Sequence, residues 1–172
     1  MALTILTYPD PRLKQKAREI GEITPAVREL AAGMAEAMYA NEGIGLAAPQ
    51  VGECCRLVVI DITGPERRED LRVLVNPRIV SSEGETETEE GCLSVRSYRS
   101  KVKRAAKVTV KAQDLEGAEV TLEADDILAV CLQHEIDHLD GALFIDRISR
   151  LKRAFYDKKV EKWEKRKATG SA

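Results

Sequence analysis

The chain has 172 residues, of which 44% are apolar and 33% are charged, and these values fit one compact globular domain. Its 27 basic and 29 acidic side chains give a net charge of -2, so no basic excess exists to neutralise a run of phosphates. This balance argues against nucleic-acid binding as the main activity. No apolar run approaches the roughly 20 residues that cross a bilayer. We therefore expect no membrane span and no specific nucleic-acid partner.

The cysteines and histidines are the most informative part of the composition. The chain begins without a segment that resembles a secretory signal, so we expect a cytoplasmic protein whose four cysteines stay reduced. Thiolates are then available as metal ligands. Only two histidines occur, His134 and His138, and they lie four residues apart.

The N-terminal part of the chain predicts one helix followed by a loop. Thr24 and Pro25 together are typical of a helix start, and apolar residues follow at helical spacing until Asn41 and Gly43. Residues 43–50 contain two glycines and one proline, which oppose regular structure. We therefore predict a loop there.

The middle of the chain predicts strands. Residues 57–62 and 71–75 are rich in β-branched side chains, and turn residues separate them. Residues 107–113 alternate apolar and polar side chains, turn at 114–117 and continue into 119–122. The alternation predicts a hairpin with one face toward solvent.

Two further helices are predicted after these strands. Asp125 or Asp126 can cap a helix that is apolar on every side in its first turns, and Gly141 suits its end. A last helix is predicted after Ser149, with an apolar stripe that we expect to pack on the body: Leu151, Phe155, Tyr156, Val160 and Trp163. Together these elements predict an α+β fold, in which antiparallel sheets pack around a buried central helix, with one N-terminal and one C-terminal helix. The absence of repeats indicates a single domain over residues 1–172.

The predicted central helix carries the sequence His134-Glu135-Ile136-Asp137-His138, which matches the metal-binding pattern HExxH. Side chains at positions i and i+4 lie one above the other on a helix, so both imidazoles can bind one ion. Glu135 lies beside them and can reach an adjacent water molecule. A structural alternative is that the histidines are ordinary core residues. That alternative is disfavoured, because burying Glu135 and Asp137 costs several kcal/mol unless they are paired or near a cation.

A catalytic site of this kind needs a third protein ligand. The longer pattern HExxHxxGxxH has its glycine at Gly141, but Phe144 stands where its third histidine would be, so that metalloprotease branch is excluded. Cys131 is about 10 Å along the helix axis from His138, too far to share an ion. Cys54 and Cys55 have a simple reading as small buried side chains. Cys92 remains as the candidate.

Three segments, in this order, resemble the signature motifs of peptide deformylase: Gly43-Ile44-Gly45-Leu46-Ala47-Ala48-Pro49-Gln50, Glu90-Gly91-Cys92-Leu93-Ser94 and Gln133-His134-Glu135-Ile136-Asp137-His138-Leu139-Asp140-Gly141. The resemblance extends over nearly the whole chain and is to the bacterial type with a helical C-terminus. It implies removal of the formyl group from formyl-methionine at the start of nascent polypeptides, with release of formate.

The resemblance also implies roles for individual residues. The metal ligands would be Cys92, His134 and His138. Glu135 would be the acid and base, and Gln50 with the backbone amide of Leu93 would bind the oxyanion. The methionine pocket would include Ile44 and Cys131, and Gly45 and Gly91 would bind the peptide backbone.

The implied cofactor is one divalent ion, with Fe²⁺ native and Zn²⁺, Ni²⁺ or Co²⁺ as alternatives. The implied partners are formyl-methionyl peptides and nascent chains, and we expect a monomer with, at most, a transient ribosome contact. One residue departs from the family pattern: Arg96 stands where proline is usual, which places the path of the chain as far as Arg99 in doubt.

Two alternatives remain open. A zinc endopeptidase also carries HExxH, and an internal peptide bond would be its substrate. A structural-metal or binding module that has lost catalysis is disfavoured, because Glu135 and Gln50 are both present.

Overall fold

The computed structural model describes residues 3–170, and within them it contains three α-helices and seven strands. The helices are α1 (Pro25–Ala40), α2 (Asp126–Leu139) and α3 (Arg150–Ala168). The strands are β1 (Gly45–Ala47), β2 (Leu57–Ile60), β3 (Arg72–Glu83), β4 (Thr86–Cys92), β5 (Val95–Arg104), β6 (Lys107–Gln113) and β7 (Glu119–Asp125). The ends of the predicted domain, residues 1, 2, 171 and 172, lie outside the described residues.

The strands form two antiparallel sheets. A five-stranded sheet has the order β1-β2-β3-β6-β7, and β4 pairs only with β5 in a separate two-stranded sheet. The predicted α+β class, with antiparallel sheets and three helices, is confirmed. Among residues 3–170, no helix is both long enough and apolar enough to cross a bilayer.

Strand β2 shows why the large sheet is covered on both faces. All four of its residues are fully buried. Val58 and Ile60 pack in one apolar cluster with residues of α2, whereas Leu57 and Val59 pack in another with residues of α1. Successive side chains of a strand point to opposite faces, so each helix covers one face of this strand. The continuous apolar run at 57–60 follows from this double burial.

Three helix ends agree with the sequence signals, whereas at the start of α2 the N-cap residue Asp125 makes no side-chain cap hydrogen bond. The Thr24 side chain accepts a hydrogen bond from the Val27 amide, and Ser149 accepts one from the Lys152 amide. Gly141 follows α2 with φ +77, and a side chain there would collide with the backbone of Lys14. The predicted starts of α1 and α3 and the glycine that ends α2 are therefore confirmed.

The loop predicted over residues 43–50 is partly wrong. Its centre is strand β1, in which Leu46 pairs with Val59 and is fully buried, and a short 3-10 turn, Ala48–Val51, follows. Pairing with the buried strand β2 outweighs the local tendency of glycine and proline to break structure. The strand brings Gly45, and the turn brings Gln50, toward helix α2, which packs against both elements.

Strands β4 and β5 were not predicted, because acidic β4 resembles a solvated charged segment when it is considered alone. In the structure its charges face basic side chains of β5: Glu87 pairs with Lys103 and Glu89 with Lys101. Opposite charges on neighbouring strands stabilise such a pair modestly. The signal therefore lies in two segments together, and neither shows it alone.

Helix α3 packs on the body through fewer residues than predicted. Tyr156 and Val160 are buried in a third apolar cluster with Val95 and Phe144. Leu151 and Phe155 are 67% and 65% exposed, so their predicted packing is wrong. In the first turns of α3 the apolar side chains Leu151 and Phe155 face solvent and not the body of the protein.

Candidate metal centre and active site

Cys92, His134 and His138 converge in the structure. One donor atom from each lies within 4.8 Å of the others, and Sγ of Cys92 is 3.3 Å from Nε2 of His138. Bonds of about 2.0–2.3 Å in a tetrahedral site place its donors roughly 3.3–3.8 Å apart. The three side chains thus have the spacing and the sulfur and nitrogen donors that suit one divalent transition metal.

The local structure explains this convergence. His134 and His138 are one turn apart on α2, with ring centroids 5.0 Å apart. Cys92 ends β4, and the pairing register shifts between Glu90 and Cys92, so that residues 96–99 of β5 lie opposite the single residue Gly91. Such an irregularity changes the direction of the side chains beside it. Here it accompanies a thiol that lies beside the helix.

A buried ionic network holds His134. Nδ1 of His134 lies 2.8 Å from Oε1 of Glu90, and Arg104 donates two hydrogen bonds to the same carboxylate. Arg104 also donates to Asp137, which pairs with Arg147 as well. Burial alone would raise the pKa of Glu90, but its hydrogen bonds with Arg104 and His134 outweigh burial and lower it to about 2. Glu90 therefore remains charged and orients the imidazole.

His138 is more deeply buried than His134 and has a different environment. It is 1% exposed, and burial holds its pKa well below the ordinary value. Its ring is therefore neutral near pH 7, and its Nε2 atom faces Cys92. A neutral imidazole is the form that binds a metal.

Glu135 lies beside the two histidines and is 4% exposed. Its Oε2 atom is buried, with no hydrogen-bond partner among the described residues. Burial raises the pKa of Glu135 to about 7, although the charges of His134 and Arg104 oppose the shift. A carboxyl group with this pKa, whose Oε2 atom accepts no hydrogen bond from the described residues, is suited to exchange a proton near neutral pH.

Gln50 is held on the other side of the thiol. Its Oε1 accepts a hydrogen bond from the Ala47 amide at 2.9 Å. Its Nε2 lies 3.1 Å from Oγ of Ser94 and 3.5 Å from Sγ of Cys92. The amide group is thus fixed with its donor nitrogen toward the cluster.

These side chains open onto a cavity of about 950 Å³. Nine of the ten site residues predicted from the sequence line it: Ile44, Gly45, Gln50, Gly91, Cys92, Leu93, Cys131, His134 and Glu135. His138, the tenth, does not line the cavity and lies beside Cys92. The structure thus brings all ten residues to one place.

Sequence reasoning missed the groups that support the metal ligands. Glu90 lies within one of the three motifs, but no role is predicted for it from the sequence, and none is predicted for Arg104 or Ser94. A charged residue two positions before a candidate ligand was a weak signal for Glu90. Arg104 had no local signal, because its partners Glu90 and Asp137 are distant in sequence.

Comparison with known proteins identifies the family. The family model described as polypeptide deformylase matches residues 2–154. This chain belongs to the peptide deformylase family. A peptide deformylase of Thermodesulfovibrio yellowstonii is 51% identical over 159 residues, which cover 92% of this chain and 96% of that protein. Members of the deformylase family are metal-dependent hydrolases, and the Cys92, His134 and His138 cluster offers a metal site.

Solved deformylase structures share the fold. The Legionella pneumophila peptide deformylase superposes with a TM-score of 0.91 at 45% identity and covers 98% of both chains. The Ehrlichia chaffeensis peptide deformylase, solved in complex with actinonin, gives a TM-score of 0.86 at 39% identity, covering 95% of this chain and 98% of that chain. The resemblance inferred from the three motifs is confirmed.

Proposed function

We propose that this chain removes the formyl group from formyl-methionine at the N-terminus of nascent polypeptides and releases formate and a free amine. One observation carries the proposal. A cluster of one thiol and two imidazoles lies beside a buried carboxyl group, and Cys92, His134 and Glu135 of this group line one cavity of a deformylase-family fold.

Cys92, His134 and His138 would hold one divalent ion, which we propose to be Fe²⁺, with Zn²⁺, Ni²⁺ or Co²⁺ as substitutes. A thiolate donor favours softer ions. When bound, the ion supplies Lewis acidity, which makes water nucleophilic at neutral pH and polarises a carbonyl oxygen.

Glu135 would move the proton. Its Oε2 atom takes a proton from the attacking water and later delivers it to the leaving amide nitrogen. Burial limits the access of bulk solvent to this carboxyl group. Helix α2 therefore supplies two ligands and the acid–base group from adjacent positions.

Gln50 and the backbone amide of Leu93 would donate hydrogen bonds to the carbonyl oxygen as negative charge develops on it. Each fixed donor of this kind typically contributes a factor of about 10²–10³ in rate. Gln50 is already oriented by its hydrogen bond from Ala47, so little reorganisation accompanies the reaction.

The substrate would lie along the cavity. Ile44 and Cys131 would contact the methionine side chain, since both line the cavity and the Sγ atom of Cys131 lies 3.8 Å from the Ile44 carbonyl oxygen. Gly45 and Gly91 would offer backbone hydrogen bonds to the peptide.

The wider setting is also part of the proposal. We propose a single domain over residues 1–172, built around α2, that acts as a monomer in the cytoplasm. The last turn of α3 carries Lys165, Arg166 and Lys167, and this basic end would support a transient contact with the ribosome.

The decisive assay is formate release from formyl-methionyl-alanyl-serine by protein purified anaerobically with iron. We expect turnover of this peptide and no cleavage of an N-acetylated peptide with internal bonds. Internal cleavage without formate release would instead indicate a zinc endopeptidase. Metal binding without either activity would indicate a binding module.

The ligand assignment has a separate test. Cys92→Ala should lower the metal content after dialysis. Cys54→Ala, which removes a thiol outside the candidate ligand set, should leave the metal content unchanged. Equal metal stoichiometry in both variants would exclude Cys92 as a ligand.

A further inference from the structure

One wall of the cavity is formed by the start of strand β5. We name residues 95–99 the rim segment, because Val95, Ser97, Tyr98 and Arg99 all line the cavity. The side chain of Arg99 passes over Gly91, with its guanidinium nitrogen 3.2 Å from the position a Cβ on Gly91 would take. The conformation of the rim segment therefore sets the shape of the cavity next to the candidate metal ligands.

The backbone of the rim segment is strained. Ser97 has φ +51, an unfavourable value for a residue other than glycine. Such conformations persist when surrounding contacts impose them, and they occur often near functional sites. Ser97 lies in the irregular stretch of β5 opposite Gly91, and elements packed against the rim segment add contacts on both sides of it.

Helix α3 makes such contacts. The Tyr156 hydroxyl donates to the carbonyl oxygen of Arg96 at 3.2 Å, and the Tyr98 ring lies 4.7 Å from the Tyr156 ring. The guanidinium of Arg96 lies 5.4 Å from the centroid of the Trp163 ring, within the range of a cation–π interaction. Two residues of α3 therefore contact the neighbours of Ser97, Arg96 and Tyr98.

Helix α3 contacts the rim segment through Tyr156 and through Trp163, and the Trp163 contact with Arg96 lies nearer the surface. Tyr156 is fully buried and belongs to the core, so it anchors α3 itself. Arg96 is exposed, so its side chain adds little to the core. Trp163 is half-buried against the third apolar cluster, and Lys159 of the same helix also lies 5.1 Å from its ring centroid. The effect of the Arg96–Trp163 contact falls on the rim segment, because Arg96 precedes the strained residue directly.

We propose that Arg96 and Trp163 form a clamp through which helix α3 positions the rim segment and thereby sets affinity for the peptide that follows formyl-methionine. Both are positioning residues, since neither lines the cavity. This inference rests on the proposed function for its substrate. Neither residue takes part in the chemical step, which is assigned to the metal site and Glu135.

Trp163 is the only tryptophan of the chain, so its emission reports on the clamp. We would titrate the metal-loaded protein with methionyl-alanyl-serine, a product peptide that is not hydrolysed, and measure its binding independently by calorimetry. The clamp predicts a saturable change in emission with the calorimetric Kd. Arg96→Ala should abolish that change, and Lys162→Ala, which removes a charge from the same helix, should preserve it. Peptide binding without any change in emission would overturn the proposal.

Steady-state kinetics supply the second test. Arg96→Ala and Trp163→Ala should each raise KM for formyl-methionyl-alanyl-serine about 3- to 10-fold while kcat stays within about 2-fold. Arg96→Lys, which keeps a cation over the ring, should restore most of the affinity. The double variant should be no worse than either single variant, because both remove one contact.

The outcomes separate the two proposals. An unchanged KM in both single variants, or additive losses in the double variant, would overturn the clamp while wild-type formate release sustained the proposed function. A fall in both kcat and thermal stability in the single variants would show that the contact is merely structural, and this result would also overturn the clamp. Absence of formate release by the wild type would refute the proposed function, and the tryptophan titration would still decide on the clamp.

Discussion

A Cβ atom on Gly45 would lie 2.5 Å from Oε1 of Glu135 and 2.9 Å from Sγ of Cys131. The glycine is therefore what lets strand β1 approach the carboxyl group of α2. We predict that Gly45→Ala displaces Glu135 and lowers kcat at least 10²-fold, while metal content stays the same. Formate release and metal analysis would measure the two effects. Gly21→Ala is the matched control, since nothing lies within 4 Å of its added Cβ.

The second prediction concerns Glu135 itself. Glu135→Gln keeps the shape of the side chain but cannot accept the proton, so kcat should fall by about 10²–10⁴. The metal should be retained, because the ligands are unchanged. Glu87→Gln, at an exposed position of β4, should retain full activity. Substantial turnover by the Glu135 variant would remove this residue from the mechanism.

The third prediction concerns Glu90, which orients His134. Glu90→Gln should weaken metal binding about 10- to 100-fold, the usual cost of losing a carboxylate that supports a ligand. It should also destabilise the fold by about 3 kcal/mol or more, since Arg104 loses a buried partner. Competition with a chelator and denaturant unfolding would measure the two effects. Metal affinity equal to that of the wild type would show that Glu90 has only a structural role.

The fourth prediction concerns Asp61, which is fully buried. Burial alone would raise its pKa, but hydrogen bonds from Thr63 and Tyr39 outweigh burial and lower it. A lowered pKa contributes stability above the unfolded value of about 3.9, and that contribution is lost as pH falls through the folded pKa.

Asp61→Asn should therefore reduce the free energy of unfolding at pH 7 by about 1–3 kcal/mol. The difference from the wild type should shrink as pH falls below about 4. Tyr39→Phe, which removes one donor, should show a smaller effect in the same direction. Urea unfolding at pH 7, 5 and 3 would measure this, and a difference that does not change with pH would contradict it.

Much of the fold follows from local patterns, and the exceptions have a common cause. The starts of α1 and α3 were predicted because Thr24 and Ser149 act through the adjacent amides. Strands β1, β4 and β5 could not be predicted, because each depends on a partner strand. β1 forms on the fully buried β2, and Glu87 and Glu89 become strand residues only opposite Lys103 and Lys101.

The site divides in the same way. His134, Glu135 and His138 are fixed by helical spacing, so their arrangement could be predicted without coordinates. The motif around Cys92 gave the third donor. The Glu90–Arg104–Asp137 network could not be predicted, since its members come from β4, β5 and α2 and meet only in three dimensions.

The three donor atoms come from two elements that are separate in the chain: Cys92 closes the small sheet, and His138 lies 46 residues later on α2. One ion bound by all three would act as a reversible staple across this loop, much as a disulfide does. Chelation would then loosen the join between sheet and helix as well as stop turnover. Folding stability and catalytic activity would then both depend on the same bound ion, and so on the supply of metal.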